Sequence, residues 1–592
     1  MKSFFRTVLA VVVGILLVQL FSLFLIFSMI GVMGALESVE DIKAHTVLTV
    51  DLTKTITDKE VNDPLANLNF RSLKLPEQNT LYAALRAIEY AKSDDKIEGI
   101  LIRADGLQMS ISTAQEIRDA IADFRSSGKF VYAYGSGYGQ FPYYVASVAD
   151  SVFIHPMGEM MWFGLASQNF YLKDALAKWG IEPQIIRHGK YKSAVEPFME
   201  NEMSMANHEQ TMTYLTSMWN YTTNAVATAR QISVEELNMF AEGRVAFLPK
   251  QALEAELVDG IYYADQIDSM LLAKTGRKAD EKLRTVSLHD YSQYVQQQQS
   301  LDLSAEKIAL VYAMGEINDG DEDDSAIGGD AYAEIFSQLR KDSTIKAVVL
   351  RVNSPGGSAF ASEVMWRELT RLREKKPLIV SMGTYAASGG YYISAPADYI
   401  VASPLTLTGS IGVFGMYMTY GKLLREKLSV YPRVVKTHSH SDIGSVMRPL
   451  DAFERELMQQ SVENTYSIFL SRVAEGRKKT SEAVDSIGQG RVWSGLDAQR
   501  LGLVDELGGL DRAIAVAAER ANIADNYRLT VYPKQELSFF NGMVNSFLTS
   551  KAQLAKQIFG ISDPEQEFVE NIERLLKKRG IRAEMPYMIE IR

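Results

Sequence analysis

From Thr7 to Leu36 the chain is almost wholly apolar: TVLAVVVGILLVQLFSLFLIFSMIGVMGAL. A helix needs about 20 apolar residues to cross a bilayer core, so this run predicts one transmembrane helix. Lys2 and Arg6 precede it; Glu37, Glu40 and Asp41 follow it. The positive-inside rule then leaves the first residues in the cytoplasm and sends the remainder across the membrane. A cleaved signal peptide would carry an apolar stretch of roughly 7–15 residues. Gly34 and Ala35 are small enough for cleavage, but the length favours an uncleaved anchor. No later stretch is as long without charges, which places the rest outside the membrane.

Beyond the anchor, short β-branched runs alternate with helical patterns. IALVYAM (308–314), AVVLRV (347–352) and LIVSMG (378–383) read as strands. Their apolar positions are continuous, as in parallel strands buried on both faces. In AFASEVMWRELTRLREKK (359–376), Ala361, Val364, Met365, Leu369 and Leu372 fall near one helical face. YYISAPA (391–397) begins another helix. Strands alternating with helices predict an α/β fold with a mostly parallel sheet.

The pattern occurs twice. IEGILIRADG (97–106) matches IKAVVLRVNS (345–354), and YYVASVADSVFIHP (143–156) matches YYISAPADYIVASP (391–404), both at a shift of 248. EPQIIR (182–187) matches YPRVVK (431–436) at 249, GRV (243–245) matches GRV (490–492) at 247, and LVD (257–259) matches LVD (503–505) at 246. A near-constant offset is the mark of a tandem duplication. The expected division is an anchor and stalk at 1–45, a first copy at 46–275, a linker at 276–305, a second copy at 306–530 and a helical tail at 531–592. Within the tail, FVENIERLLKKR (568–579) is amphipathic.

Composition then narrows the chemistry. At 592 residues, length alone would predict roughly three or four domains of ~150 residues; the repeat reduces this to two copies of one fold. The net charge of −11 argues against a nucleic-acid partner. There is no cysteine, which removes a Cys nucleophile, a zinc–thiolate site, an iron–sulfur cluster and a disulfide scaffold.

Two Gly-rich turns stand at strand ends in the second copy: Asn353-Ser354-Pro355-Gly356-Gly357-Ser358 and Tyr385-Ala386-Ala387-Ser388-Gly389-Gly390. Glycine lets backbone N–H groups approach a ligand, and a helix start adds unpaired donors. Side by side, such turns can form an oxyanion hole with a serine aimed at the bound carbonyl. Either turn alone is commonly just a tight βα connection. Neither matches GxxxxGK[ST] or GxGxxG, so phosphate binding is poorly supported. The first copy sharpens the choice. At a shift of 248, Ser388, Gly389 and Gly390 fall on Gln140, Phe141 and Pro142, while Gly356 and Gly357 fall on Gln108 and Met109. The first copy keeps the frame without the turns, so the second copy is specialised and Ser388 is the leading nucleophile. Ser354, Ser358 and Ser410 read as turn or cap residues.

A serine nucleophile needs a base. None of the seven histidines lies in a base motif; His438 and His440 sit in a Ser/His-rich segment. A histidine assembled through space stays open. The other candidate is Lys192 in Gly189-Lys190-Tyr191-Lys192, a run that in most proteins would be a solvated surface. At a shift of 249 Lys192 falls on Ser441, so the first copy has the Lys and lacks the Ser, and the second has the reverse.

Four segments carry a resemblance to a known family: GKYKSAVEPF (189–198), RVNSPGGS (351–358), AASGGYYIS (386–394) and LTGSIGVFG (407–415). With the anchor and the repeat, the chain resembles the long-form signal peptide peptidase A (protease IV) family over nearly its whole length. The resemblance implies two tandem crotonase/ClpP-like halves and a serine endopeptidase with Ser388 as nucleophile and Lys192 as general base. It implies an oxyanion hole from Gly389 and the Gly356–Gly357 pair, with Gly357 favoured. It further implies a homotetramer at the bacterial inner membrane, catalytic region periplasmic, that degrades signal-peptide remnants and other peptides. No metal or organic cofactor is expected, since a Ser/Lys pair completes the chemistry alone. Lys192 must then be neutral, its pKa falling from ~10.4 by burial at a differential of about 4 kcal/mol. Lys190 is the nearest rival. Two other readings are a crotonase-type acyl-CoA enzyme and a catalytically inactive membrane scaffold.

Overall fold

The computed structural model describes residues 41–59, 78–278, 280–298, 305–321, 326–524, 526–534, 580–585 and 590–591, with isolated positions between 14 and 24. The apolar run 7–36 lies almost wholly outside these, as does the amphipathic run 568–579. Among the described residues no helix is long and apolar enough to cross a membrane.

The first half runs through β1 (Thr46–Asp51), α1 (Leu81–Ser93), β2 (Ile97–Arg103), α2 (Ile111–Arg125), β3 (Phe130–Gly135), α3 (Gln140–Ala146) and β4 (Ser151–Ile154). It continues through β5 (Ser167–Gln168), α4 (Lys173–Trp179), β6 (Glu182–Arg187), α5 (Met205–Arg230), β7 (Gly260–Ile261), β8 (Thr285–Ser287) and α6 (Leu288–Gln298). The second half opens with β9 (Glu306–Met314), β10 (Ile345–Ser354), β11 (Gly356–Ser358), α7 (Ala359–Arg373), β12 (Leu378–Ala387), α8 (Gly389–Ser394) and β13 (Tyr399–Ala402). Then come β14 (Leu407–Gly409), β15 (Phe414–Thr419), α9 (Ala452–Arg477), β16 (Val492–Ser494), α10 (Leu510–Arg520) and β17 (Tyr527–Tyr532). Two tail strands follow, β18 (Gly580–Glu584) and β19 (Glu590–Ile591). The helix starts are encoded locally: Thr80, Ser110, Ser204, Ser358 and Asp451 each accept a backbone N–H three residues on, satisfying donors the helix cannot.

The duplication is a repeat of topology. The first sheet has the order β7-β4-β3-β2-β1-β8, all parallel. The second follows the same path: Glu506–Leu507, β13, β12, β10, β9, β17, again all parallel. The far end of β12 also pairs with β14, which pairs antiparallel with β16. The continuous apolar strands are explained by what they separate. On β9, Ile308, Leu310 and Tyr312 face one core while Ala309, Val311 and Ala313 face the other, as a two-residue period requires. From the second half, α10 sends Leu510, Ala513, Ile514 and Ala517 into the first-half core. The halves therefore share a hydrophobic interior.

The structure extends the first copy beyond residue 275. β8, inside the expected linker, pairs with β1, and α6 buries Leu288, Tyr291 and Val295 in the first core. At three residues β8 is too short to show a period. The second copy likewise runs past 530 to the end of β17 at Tyr532. The tail differs from the helical expectation where it is described: 580–584 is a strand, held between β11 and β15 in antiparallel pairing. It belongs to a third sheet, ordered Ile327–Gly328, Ile317–Asn318, β11, β18, β15, β6. That sheet takes β6 from the first half, and so carries the following loop into the second half.

Candidate active site

β6 pairs antiparallel with β15, Glu182 opposite Thr419 and Arg187 opposite Phe414. The chain then turns through Gly189 toward Lys192. Tyr191 N–H donates to the Gln489 carbonyl at 3.1 Å. Gln210 of α5 donates to the Tyr191 carbonyl and to Ser193 Oγ, and accepts from Val492 N–H. A Cβ at Gly490, where φ is +85°, would lie 2.6 Å from Lys192 N. Only glycine meets both demands there. Lys192 is fully buried, whereas Lys190 is exposed and lies against the Tyr191 ring.

Ser388 sits between β12 and α8 with φ 56° and ψ −112°. This conformation is costly for a residue with a side chain, and such strain concentrates at functional sites. Its N–H donates to the Gly409 carbonyl at 2.8 Å. Lys192 Nζ lies 2.8 Å from Ser388 Oγ, 3.1 Å from the Ser410 carbonyl and 3.1 Å from Ser410 Oγ. Burial pushes the Lys192 amine down to about 7, against the upward pull of the Glu584 carboxylate. An amine near neutrality within reach of a serine hydroxyl has the pKa and geometry of a general base. Among the described residues no histidine is hydrogen-bonded to Ser388 or Lys192.

The two Gly-rich turns lie against each other. Gly389 opens α8, so its N–H has no intrahelical acceptor. A Cβ at Gly356 would lie 2.7 Å from Gly389 N and 2.2 Å from the Ala583 carbonyl, and φ there is +103°. Gly356 N–H donates to Ser354 Oγ at 3.1 Å; Gly357 stands opposite Ala583 of β18. Ser358 caps α7. Below the turn, buried Arg351 binds Asp58 at 2.9 Å and Glu116 at 2.8 Å, both from the first half. Burial pushes Glu116 up to about 7, with Arg351 opposing. This network fastens β10, and so the Gly356–Gly357 turn, to the half that supplies Lys192.

Two contributions escape the sequence. Ser410, read as a turn residue, has φ 47° and supplies two of the three polar neighbours of Lys192 Nζ. Its only signal was its place inside LTGSIGVFG. The tail supplies Ala583, Glu584 and Met585, all buried. Met585 packs among Tyr214, Leu215, Met218, Ala387, Leu405 and Val492.

A paired Ser and Lys beside two glycine turns on a duplicated α/β frame define a serine-hydrolase class of site. Peptidase family S49 matches the chain twice, at residues 123–276 and 370–524. The chain is 38% identical over 498 residues to Protease 4 of Salmonella typhi, covering 81% of this chain and 79% of that protein. It is 36% identical to Protease 4 of Haemophilus influenzae, over 78% of this chain and 76% of that one. It is 34% identical to the chloroplastic serine protease SPPA of Arabidopsis thaliana, over 83% and 71% respectively. The chain belongs to peptidase family S49 and is a serine protease.

Proposed function

We propose that the chain is a membrane-anchored serine endopeptidase in which Ser388 is the nucleophile and Lys192 the general base. The observation that carries this reading is the 2.8 Å approach of Lys192 Nζ to Ser388 Oγ across the two halves, with Nζ buried. A neutral amine has two N–H donors and one lone pair. The Ser410 carbonyl and Oγ accept the donors, which leaves the lone pair for the Ser388 hydroxyl proton. Ser388 Oγ attacks the scissile carbonyl as its proton passes to Nζ. The oxyanion faces the Gly389 N–H and an N–H of the Gly356–Gly357 turn. The Lys192 ammonium then protonates the leaving amine. Water, deprotonated by the same amine, releases the acyl group from Ser388.

Peptide binding has a template in β18. It lies between β11 and β15 and pairs with both. An extended peptide would find the same two sets of main-chain partners there, which is strand addition. The apolar run 7–36 would tether this groove at the outer face of a bacterial inner membrane, close to the signal-peptide remnants we take as substrates. Assembly as a homotetramer belongs to the same reading. Peptidase-family membership and the buried Ser/Lys pair favour this over an acyl-CoA enzyme or an inactive scaffold. A serine-directed acylating probe tests the site: it should label Ser388 in the parent chain and fail with Lys192→Ala. Equal labelling of both would remove Lys192 from the mechanism.

A further inference from the structure

Gly-Arg-Val occurs in both copies, at 243–245 and at 490–492, a shift of 247. Arg244 is exposed and lies over the Phe247 ring at 5.4 Å. Arg491 is turned inward, its side chain 16% exposed, between two aromatic rings: Tyr191 at 4.6 Å and Trp493 at 4.4 Å. Its guanidinium donates to the Tyr191 hydroxyl at 3.1 Å and to Thr213 Oγ1 at 3.3 Å, and pairs with Glu209 at 2.9 Å. The Tyr191 hydroxyl donates in turn to Glu209. A flat guanidinium stacks on rings and bonds in its own plane at once; an ammonium does not.

Tyr191 immediately precedes Lys192. Its N–H is held by the Gln489 carbonyl, its carbonyl by Gln210 and its ring by Arg491. Two of these three holds come from residues 489–491 of the second half. The main chain of Arg491 reaches the other side of the amine. Its carbonyl accepts the Ser410 N–H at 2.7 Å, prolonging the antiparallel pairing of β14 with β16, where Gly409 stands opposite Val492. Ser410 supplies the carbonyl and the Oγ that accept from Lys192 Nζ. One residue thus grips the position before the lysine and the position that orients its Nζ. At a shift of 249, Tyr191 and Lys192 fall on His440 and Ser441, so Arg244 has no counterpart lysine to hold.

We propose that Arg491 is the positioning residue for the Lys192 amine, fixing through Tyr191 and Ser410 both the place and the direction of Nζ against Ser388 Oγ. The inference deepens the proposed mechanism and rests on Lys192 acting as the base. Arg491 touches none of the reacting atoms; it keeps the amine in a dry seat. Burial is what lowers the amine, and Glu584 is the carboxylate that acts on it. Glu209 and the Tyr191 hydroxyl are the titratable groups that face Arg491. Freed from its seat, the amine gains water and titrates higher, toward the ordinary lysine value. Below the limb, each unit of upward shift lowers the neutral fraction about tenfold.

The test is the pH dependence of kcat/KM for peptide hydrolysis, which reports the free enzyme's essential base. It is measured on the full-length parent, Arg491→Met and Arg491→Lys, with Tm recorded for each. The parent's rising limb should lie near pH 7. Arg491→Met should move it up by at least about one unit, so that activity falls about tenfold or more at pH 7 and recovers toward the parent's by about pH 9. Arg491→Lys keeps the charge opposite Glu209 and loses the stack; its limb should shift the same way, and it supplies the profile if the Met variant does not fold. A limb at the parent's pH in a folded variant, whatever its Tm, would make Arg491 a structural staple and overturn the proposal while leaving Lys192 as the base. A parent limb near ~10.4 would remove Lys192 as the base and the inference with it.

Discussion

Ser388 and Gln140 occupy equivalent places in the two halves and do opposite work. At the end of β12 the backbone is forced to φ 56°, and the Ser388 hydroxyl faces a buried lysine. After β3 the equivalent turn starts α3 with ordinary extended geometry at Gly139. Gln140 is buried, but its amide accepts from Phe163 and Gly164 N–H and donates to the Gly164 carbonyl. The same six-strand order surrounds both. The frame does not need the strained turn; the proposed chemistry does. On that proposal, strain is retained where the Ser388 hydroxyl is to be aimed and relaxed where a side chain only has to close a loop.

Substitutions rank along this contrast. Ser388→Ala and Lys192→Met should each remove about 10⁴–10⁶-fold of kcat in a peptide-hydrolysis assay, with no further loss when combined. Independent, multiplying losses would mean they do not act as a unit. Gly356→Ala puts a Cβ 2.2 Å from the Ala583 carbonyl and beside Gly389 N; a loss of about 10²-fold in kcat is expected. Ser410→Ala removes one acceptor from Lys192 Nζ and should cost about tenfold, the lower end of a general-base contribution. Gln140→Ala should leave kcat unchanged and lower stability by about 1–3 kcal/mol in denaturant unfolding, because buried N–H groups lose their acceptor. A loss of activity there would give Gln140 a catalytic role this account denies it.

Two pH effects sharpen the comparison. Glu584 pulls the Lys192 pKa upward, so Glu584→Gln should move the rising limb of kcat/KM to lower pH. In stability the sign follows from a folded-state pKa below the unfolded one. Below about 7 the buried ammonium is charged and its desolvation cost is carried in full. As pH rises toward ~10.4 the unfolded chain binds the extra proton and the wild type gains stability. Lys192→Met should therefore raise Tm most in acid, with the advantage shrinking above neutrality.

Much of this was legible because the chain carries its own control. The strand runs and the helix within 359–376 followed from apolar spacing; the loss of Ser in one copy and Lys in the other needed only the internal offset. Lys192 looked like a surface residue in a KYK run; its burial depends on Gly490 and Gly412, almost 300 and more than 200 residues away, and on β6 crossing to the second sheet. β8 was hidden by its three-residue length. β18 was hidden because antiparallel pairing joins Ala583 to Gly357 over a chain separation that no local pattern reports. Ser410 was hidden by a positive φ that serine rarely adopts.

The central claim is that one buried amine, shared between the halves, activates Ser388. The pH dependence of Ser388 acylation by a serine-directed probe tests it most directly. A single rising limb near pH 7, abolished in Lys192→Ala, is the expected result. A limb near ~10.4, the value of an unburied lysine, or undiminished labelling of Lys192→Ala, would contradict it.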